Sequence, residues 1–176
     1  IVDPWHVKIT RANQIDGGGE QTLSTHSIVI ATGAQPFVPP LPGLDEVGYL
    51  TSDTLWGLRE LPARLVVLGG GPIGCELAQA FARLGSAVTQ VEMAPRIMLR
   101  EDDDVSAYAR KALEADGVAV LTGHKALRCE KIGDDKFIIV EAGGQEKRIG
   151  FDLLLCAVGR VARLQGFGLE ELGIPV

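Results

Sequence analysis

Gly69, Gly71 and Gly74 stand at the spacing G-x-G-x-x-G, and Glu92 follows 21 residues after Gly71. Glycines so spaced, set between an apolar run and a helix, let a chain turn tightly and bring backbone N–H groups up to a pyrophosphate. Gly69 permits the sharp exit from the strand, Gly71 the close approach of a ligand, and Gly74 the close packing of helix on sheet. Gly70, Pro72 and Ile73 complete the turn. Pro72 falls at the first helical position, where its fixed φ suits the helix and its missing N–H costs nothing. The unsatisfied N–H groups and the positive dipole end of that helix favour an anion. A carboxylate at Glu92 can accept hydrogen bonds from both hydroxyls of an adenosine ribose and repels a 2′-phosphate, which favours NAD over NADP. Arg96, four residues on, could reach such a phosphate and keeps NADP open.

Positioning these groups requires a strand, a helix and a second strand. Leu65-Val66-Val67-Leu68 is apolar and rich in β-branched residues, as a buried strand requires. Ile73, Leu77, Ala78, Phe81 and Leu84 recur at helical period and predict a helix to about Leu84, with Gly85 ending it. Ala87-Val88-Thr89-Gln90-Val91 predicts the next strand, ending at Glu92. Two readings compete with a dinucleotide site: a strand–helix packing turn that binds nothing, and a methyltransferase-like Rossmann turn, which also has glycines and a ribose-binding acid.

Other chemistry is sparse. Cys75, Cys129 and Cys156 form no C-x-x-C or C-x-x-x-x-C, which argues against a redox dithiol or a zinc cluster within these residues. Cys75, in the helix after the glycine turn, and Cys156, in an apolar strand, read as buried, inert thiols, and the cysteines suit a reducing cytoplasm. His6, His26 and His124 are scattered and read as surface or packing residues. The acids Glu101 to Asp104 read as a helix N-terminus complementing the dipole rather than as a metal site. With 176 residues, 46% of them apolar, there is material for one large or two small domains with a real core. A net charge of −6 without basic patches argues against a nucleic-acid partner. No apolar run approaches the length of a membrane span, and the opening Ile1-Val2-Asp3-Pro4 reads as the start of a fragment.

Along the rest of the chain, His6 to Thr10 alternates, Asp16 to Gly19 is a turn, and Glu20 to Thr25 leads into an expected buried strand at Ser27 to Ala31. Gln35 to Gly43 is dense in proline and reads as an extended connector. Ser52 or Asp53 is expected to cap a short helix through Leu58. After Asp102 to Asp104, Val105, Tyr108, Ala112 and Leu113 continue at helical spacing, and Gly117 to Leu121 predicts a third parallel strand. From Ala126 to Ile149 the alternation and the glycine breaks predict an antiparallel meander. Phe151 to Gly159 predicts a further buried strand.

Ala31-Thr32-Gly33, Gly69 to Glu76, Glu92, and Ala157-Val158-Gly159-Arg160, in this order and spacing, resemble the class I pyridine nucleotide-disulfide oxidoreductases. These are two-dinucleotide flavoproteins that include dihydrolipoamide dehydrogenase, glutathione reductase and mercuric reductase. Glu76 to Gly85 is similar to the mercuric-reductase-related branch. The resemblance implies an α/β, Rossmann-like three-layer FAD/NAD(P)-binding fold with a parallel sheet and an inserted antiparallel β-meander. It implies that residues 1–57 are the end of a first FAD-domain segment plus linker, 58–159 the NAD(P) domain, and 160–176 the return into the FAD domain. It places Gly69, Gly70, Gly71, Pro72, Ile73, Gly74, Glu76, Glu92, Arg96, Ala126 and Gly159 at the nicotinamide dinucleotide. Ala31, Thr32, Gly33 and Arg160 would lie at FAD in a longer, homodimeric, cytoplasmic parent. There NAD(P)H would deliver a hydride to flavin for reduction of a disulfide or a related acceptor such as Hg(II). The family's redox cysteine pair and catalytic histidine are not in these residues, so the chain alone is expected to bind dinucleotide without turnover. Where many members have an aromatic gate over the nicotinamide pocket, this chain has Pro72.

Overall fold

The computed structural model describes residues 7–11, 14–17, 21–24, 26–166 and 168–175, with side chains from residue 26 onward. Ile1 to Pro4, His6, Gly18, Gly19, Glu20 and Thr25, which figure in the expectations above, lie outside the described residues. In chain order the strands are β1 (Val7–Arg11), β2 (Gln14–Gly17), β3 (Gln21–Ser24), β4 (Ala34–Pro36), β5 (Leu50–Thr51), β6 (Arg64–Leu68) and β7 (Ala87–Val91). They continue with β8 (Ala119–Leu121), β9 (Lys125–Ile132), β10 (Asp135–Ala142), β11 (Gln145–Phe151), β12 (Leu153–Cys156) and β13 (Arg160–Ala162). The α-helices are α1 (Leu44–Val47), α2 (Pro72–Leu84) and α3 (Asp103–Ala115). The chain divides into a unit of Pro36–Arg160 and a unit of Ile1–Gln35 with Val161–Val176.

The larger unit is built on a five-stranded parallel sheet in the order β5-β12-β6-β7-β8. Alternate residues of β6 point to opposite faces, and both faces are covered, which is why the run is apolar throughout. Leu65 and Val67 join Val88, Val120 and Leu155 against Cys75, Ala78 and Phe81 of α2 and Leu113 of α3. Val66 and Leu68 join Val91, Leu154 and Cys156 against Cys129, Ile138, Val140 and Phe151 of the meander and Leu44 and Val47 of α1. The result is three layers: helices, parallel sheet, and an antiparallel meander in which β10 pairs with both β9 and β11. This is the expected α/β fold class. Gly143 and Gly144 both have positive φ, 59° and 78°, as the tight turn between β10 and β11 requires.

α2 starts with Pro72 at its first position and ends at Gly85, whose φ is 110°. The Ser86 N–H donates to Phe81 O and the Gly85 N–H to Ala82 O, closing the last turn. In the smaller unit β1, β2 and β3 form an antiparallel layer, and Asp16 and Gly17, expected in a turn, belong to β2.

Four local expectations are corrected. Ser27 to Ile30 belong to no strand, and Val29 is 89% exposed. A β-branched run becomes a buried strand only where neighbours complete its ladder and cover its faces. On α3 the buried positions are Ser106 and Leu113, with Val105 and Tyr108 turned outward. The buried Ser106 hydroxyl donates to the Ile97 carbonyl, so a polar residue on the inward face is satisfied there. Leu84 at the end of α2 is exposed, and Gly74 and Cys75 face inward instead. Neither Ser52 nor Asp53 caps a helix: Leu55–Gly57 is a single 3₁₀ turn beginning after Thr54, whose hydroxyl accepts the Thr51 N–H. The proline-dense stretch leads into α1 and β5, which the sequence pattern did not predict.

Candidate nucleotide-binding site

The turn after β6 is held from several sides. The Gly69 N–H donates to Val91 O, and Gly69 O accepts from the amide of Gln90, a fully buried side chain on β7. Gly69 has φ 109°, and a Cβ there would overlap the Ala157 carbonyl at the end of β12. A Cβ on Gly74 would overlap the Gly69 carbonyl, so helix and turn touch backbone to backbone. Gly71 differs. A Cβ there would meet nothing within 4 Å.

Gly71 therefore faces open space at the N-terminus of α2. That helix end has no side-chain cap and no acidic residue in its first turn. Its first-turn N–H groups have no intrahelical acceptor, and the dipole adds positive potential. The fit to a phosphate diester rests on this combination: an uncapped thirteen-residue helix, a glycine whose side chain would intrude on a ligand, and an acid beside it.

Glu92 is that acid. Its Oε2 accepts the Gly70 N–H at 2.5 Å and its Oε1 the Ala94 N–H at 2.6 Å. Each carboxylate oxygen has a further lone pair, so the residue is oriented and still able to accept from a hydroxyl. The backbone of Glu92 is tied on both sides, its N–H to Leu121 O and its O to the His124 N–H.

The loop that follows folds back over the turn. The Met98 N–H donates to Gly70 O at 2.7 Å, and Ile97 is 1% exposed beneath it. Arg96, the candidate 2′-phosphate ligand, binds within this loop: Nη1 donates to Glu101 O and Met98 O, and Nη2 pairs with Asp103. Cys75 lies under the same turn with its Sγ 3.4 Å from Gly70 O, and burial pushes its thiol up, so it is protonated at neutral pH.

Pro72, Ile73 and Glu76 follow on α2; Glu76 is exposed and lines a cavity with Pro72 and Met98 between α2 and α3. Gly159, φ 137°, lies three residues past β12, and its O accepts the Phe37 N–H. Ala126, on β9, is half-buried against the meander-side core. Arg160 donates to the Ser52 hydroxyl and to Asp53. Ala31, Thr32 and Gly33 are exposed in the smaller unit, where Thr32 Oγ1 donates to Arg163 O and the Arg163 N–H to Gly33 O. Sequence reasoning missed Gln90 and Met98. A lone amide inside an apolar strand was a usable signal for the first; nothing local marks the second.

A parallel sheet whose strand turns through three glycines into a helix, with an acid ending the next strand, has the form of a dinucleotide-binding Rossmann domain. The chain belongs to the pyridine nucleotide-disulphide oxidoreductase family, whose model matches residues 2–176. This is a family of FAD- and nicotinamide-dinucleotide-dependent oxidoreductases. It is 38% identical over 169 residues to a mercuric reductase of Bacillus cereus, covering 96% of this chain and 27% of that protein. It is 42% identical over 168 residues to a dihydrolipoyl dehydrogenase of Thermus scotoductus, covering 93% of this chain and 36% of that one. Among solved structures, the HOCl-induced flavoprotein disulfide reductase RclA from Escherichia coli superposes with a TM-score of 0.79 at 32% identity, covering 97% of this chain and 38% of that one. The chain thus spans about a third of the length of these relatives. Among the described residues no helix is long and apolar enough to cross a membrane.

Proposed function

We propose that this chain is the NAD(P)H-binding part of a longer FAD-dependent oxidoreductase that reduces a disulfide or a related acceptor such as Hg(II), and that NADH is its preferred dinucleotide. The observation that carries this reading is the open space at Gly71 beside an uncapped helix N-terminus, with Glu92 oriented next to it. When bound, the nicotinamide supplies a hydride from C4 and the flavin accepts it at N5.

The residues here bind and orient. Gly70, Gly71, Pro72, Ile73 and Gly74 surround the pyrophosphate with backbone, Gly69 sets the turn, and Glu92 takes the adenosine ribose hydroxyls. Glu76, Ala126 and Gly159 lie toward the remainder of the dinucleotide, and Ala31, Thr32, Gly33 and Arg160 belong to the flavin side of the parent. On this reading residues 58–159 are the nucleotide domain, 160–176 return into a flavin domain, and 1–57 are the end of a first flavin-domain segment plus a linker, whose residues 36–57 pack with the nucleotide domain through α1 and β5. The parent is a cytoplasmic homodimer, and these 176 residues alone bind without turnover.

Calorimetric titration of the chain with NADH and, separately, NADPH tests the proposal. NADH is expected to bind more tightly, and Glu92→Ala to weaken it by about tenfold, the worth of a lost charged hydrogen bond. Binding of neither dinucleotide would refute it.

A further inference from the structure

Resting on that reading, the geometry points to Arg96 as the positioning residue of the nucleotide site, a staple for loop 92–102 that holds the glycine turn, rather than a ligand for a 2′-phosphate. Three acceptors surround its guanidinium: Glu101 O at 2.8 Å, Met98 O at 3.3 Å and Asp103 Oδ1 at 3.1 Å. Nη1 takes the two carbonyls and Nη2 the carboxylate, so the three acceptors are shared by two nitrogens held apart in one plane, a spacing that the single nitrogen of an ammonium does not reproduce.

The staple closes on a residue that needs holding. Met98 is the one non-glycine with positive φ among the described residues, at 50°. Its carbonyl is bound by Arg96 and by the Glu101 N–H, and in this conformation its own N–H reaches Gly70 O. Gly70 is thereby fixed at both ends, its N–H on Glu92 and its O on Met98. Ile97 packs under the turn, its O bound by the Ser106 hydroxyl. The backbone that presents α2's N-terminus is thus braced by loop 92–102, and Arg96 keeps that loop in shape.

Without the guanidinium, Met98 is free to relax to negative φ and its N–H leaves Gly70. The turn loosens, and every dinucleotide that uses it suffers alike. A 2′-phosphate ligand behaves otherwise. To reach a phosphate Arg96 would abandon three acceptors, and its loss would cost NADPH alone.

The experiment titrates the chain and its Arg96→Ala and Arg96→Lys variants with NADH and with NADPH, with Glu92→Ala as control and melting temperatures recorded. Arg96→Ala is expected to raise the Kd of both dinucleotides by the same factor, about tenfold, at a temperature where the variant is fully folded. Arg96→Lys should recover part of the loss, since an ammonium replaces only part of the fork. A selective loss of NADPH binding in either variant overturns the proposal in favour of a phosphate ligand; unchanged Kd values with a lowered melting temperature overturn it in favour of a merely structural role. Should Arg96→Ala not fold, Arg96→Lys decides by the same ratio. Wild-type chain that binds neither dinucleotide refutes the proposed function itself, and this inference with it.

Discussion

Glu92 and Gly70 define one another's position. The Gly70 N–H lies 2.5 Å from Glu92 Oε2, and a Cβ on Gly70 would sit 2.9 Å from both that oxygen and Glu92 Cγ, and 2.9 Å from Ile97 Cγ2. The middle glycine of the turn is therefore required by the acid rather than by its own φ. Gly70→Ala should displace the Glu92 carboxylate and the loop over it together. The expected outcome is a destabilisation of roughly 1–3 kcal/mol, the range for overpacking a tight site, accompanied by weaker NADH binding. Thermal melts and titration of the variant check it; a normal melting temperature would show that Glu92 moves aside freely.

Gly71 and Gly74, three residues apart, should respond in opposite ways. A methyl group at Gly71 meets nothing, and φ there is −77°, a value any residue adopts. Gly71→Ala should cost at most about 1 kcal/mol, through the poorer N-cap, while abolishing dinucleotide binding because the methyl occupies the ligand's space. A methyl at Gly74 would overlap the Gly69 carbonyl, so Gly74→Ala should lower the melting temperature sharply as α2 is pushed off the turn. Equal melting temperatures for the two variants would contradict this division of labour.

Much of this site is written locally, and that part is legible in the sequence. The strand, the glycine spacing, Pro72 and Glu92 carry their own chemistry within thirty residues, and the meander shows itself through alternation and glycine pairs. Other features depend on partners distant in sequence. Ser27 to Ile30 have the composition of a strand but no place in one, since pairing is decided elsewhere in the fold. Ser106 is buried with its hydroxyl on the Ile97 carbonyl, a partner invisible in helical periodicity. The spacing from Glu92 shows only that Arg96 could reach a phosphate; Glu101, Met98 and Asp103, which engage it, become its neighbours only when the loop folds back.

Asp152 fastens the starts of two adjacent strands and should make stability depend on acid. Its Oδ2 accepts the Arg64 N–H at 2.7 Å and its Oδ1 the Arg64 guanidinium at 2.6 Å, while its own N–H donates to Arg64 O. The Arg64 side chain holds the Asp152 carboxyl below its ordinary range. A depressed carboxyl stabilises the fold above its unfolded pKa of about 3.9 and loses that effect as pH falls through the lower folded value. Asp152→Asn should therefore melt below wild type at pH 7 and close to it at pH 2.5. Because both side chains are well exposed, the effect is modest and shrinks in high salt. A gap between the two proteins that is the same at both pH values would exclude this ion pair as its source.

Cys75, Cys129 and Cys156 are all buried and free, and burial pushes the thiol of Cys129 up to about 11 and that of Cys156 up to about 12. Thiolate is the reactive species, so native protein at pH 8 should resist an aromatic disulfide reagent, and denatured protein should titrate all three cysteines of the chain. The same shifts set a limit at high pH. An unfolded thiol ionises near 8.5, whereas the folded one stays neutral, so the unfolded state alone gains by releasing protons above that pH. Each thiol then withdraws about 1.4 kcal/mol of stability per pH unit until its folded pKa is reached. Cys156→Ala should be less stable than wild type at pH 8 through lost packing, and the gap should narrow by about 2 kcal/mol between pH 8.5 and 10, because only wild type retains that thiol. Denaturant midpoints of the two proteins across this range provide the measurement. Parallel pH dependences would mean that the Cys156 thiol ionises in the folded chain, and that the core between sheet and meander admits water.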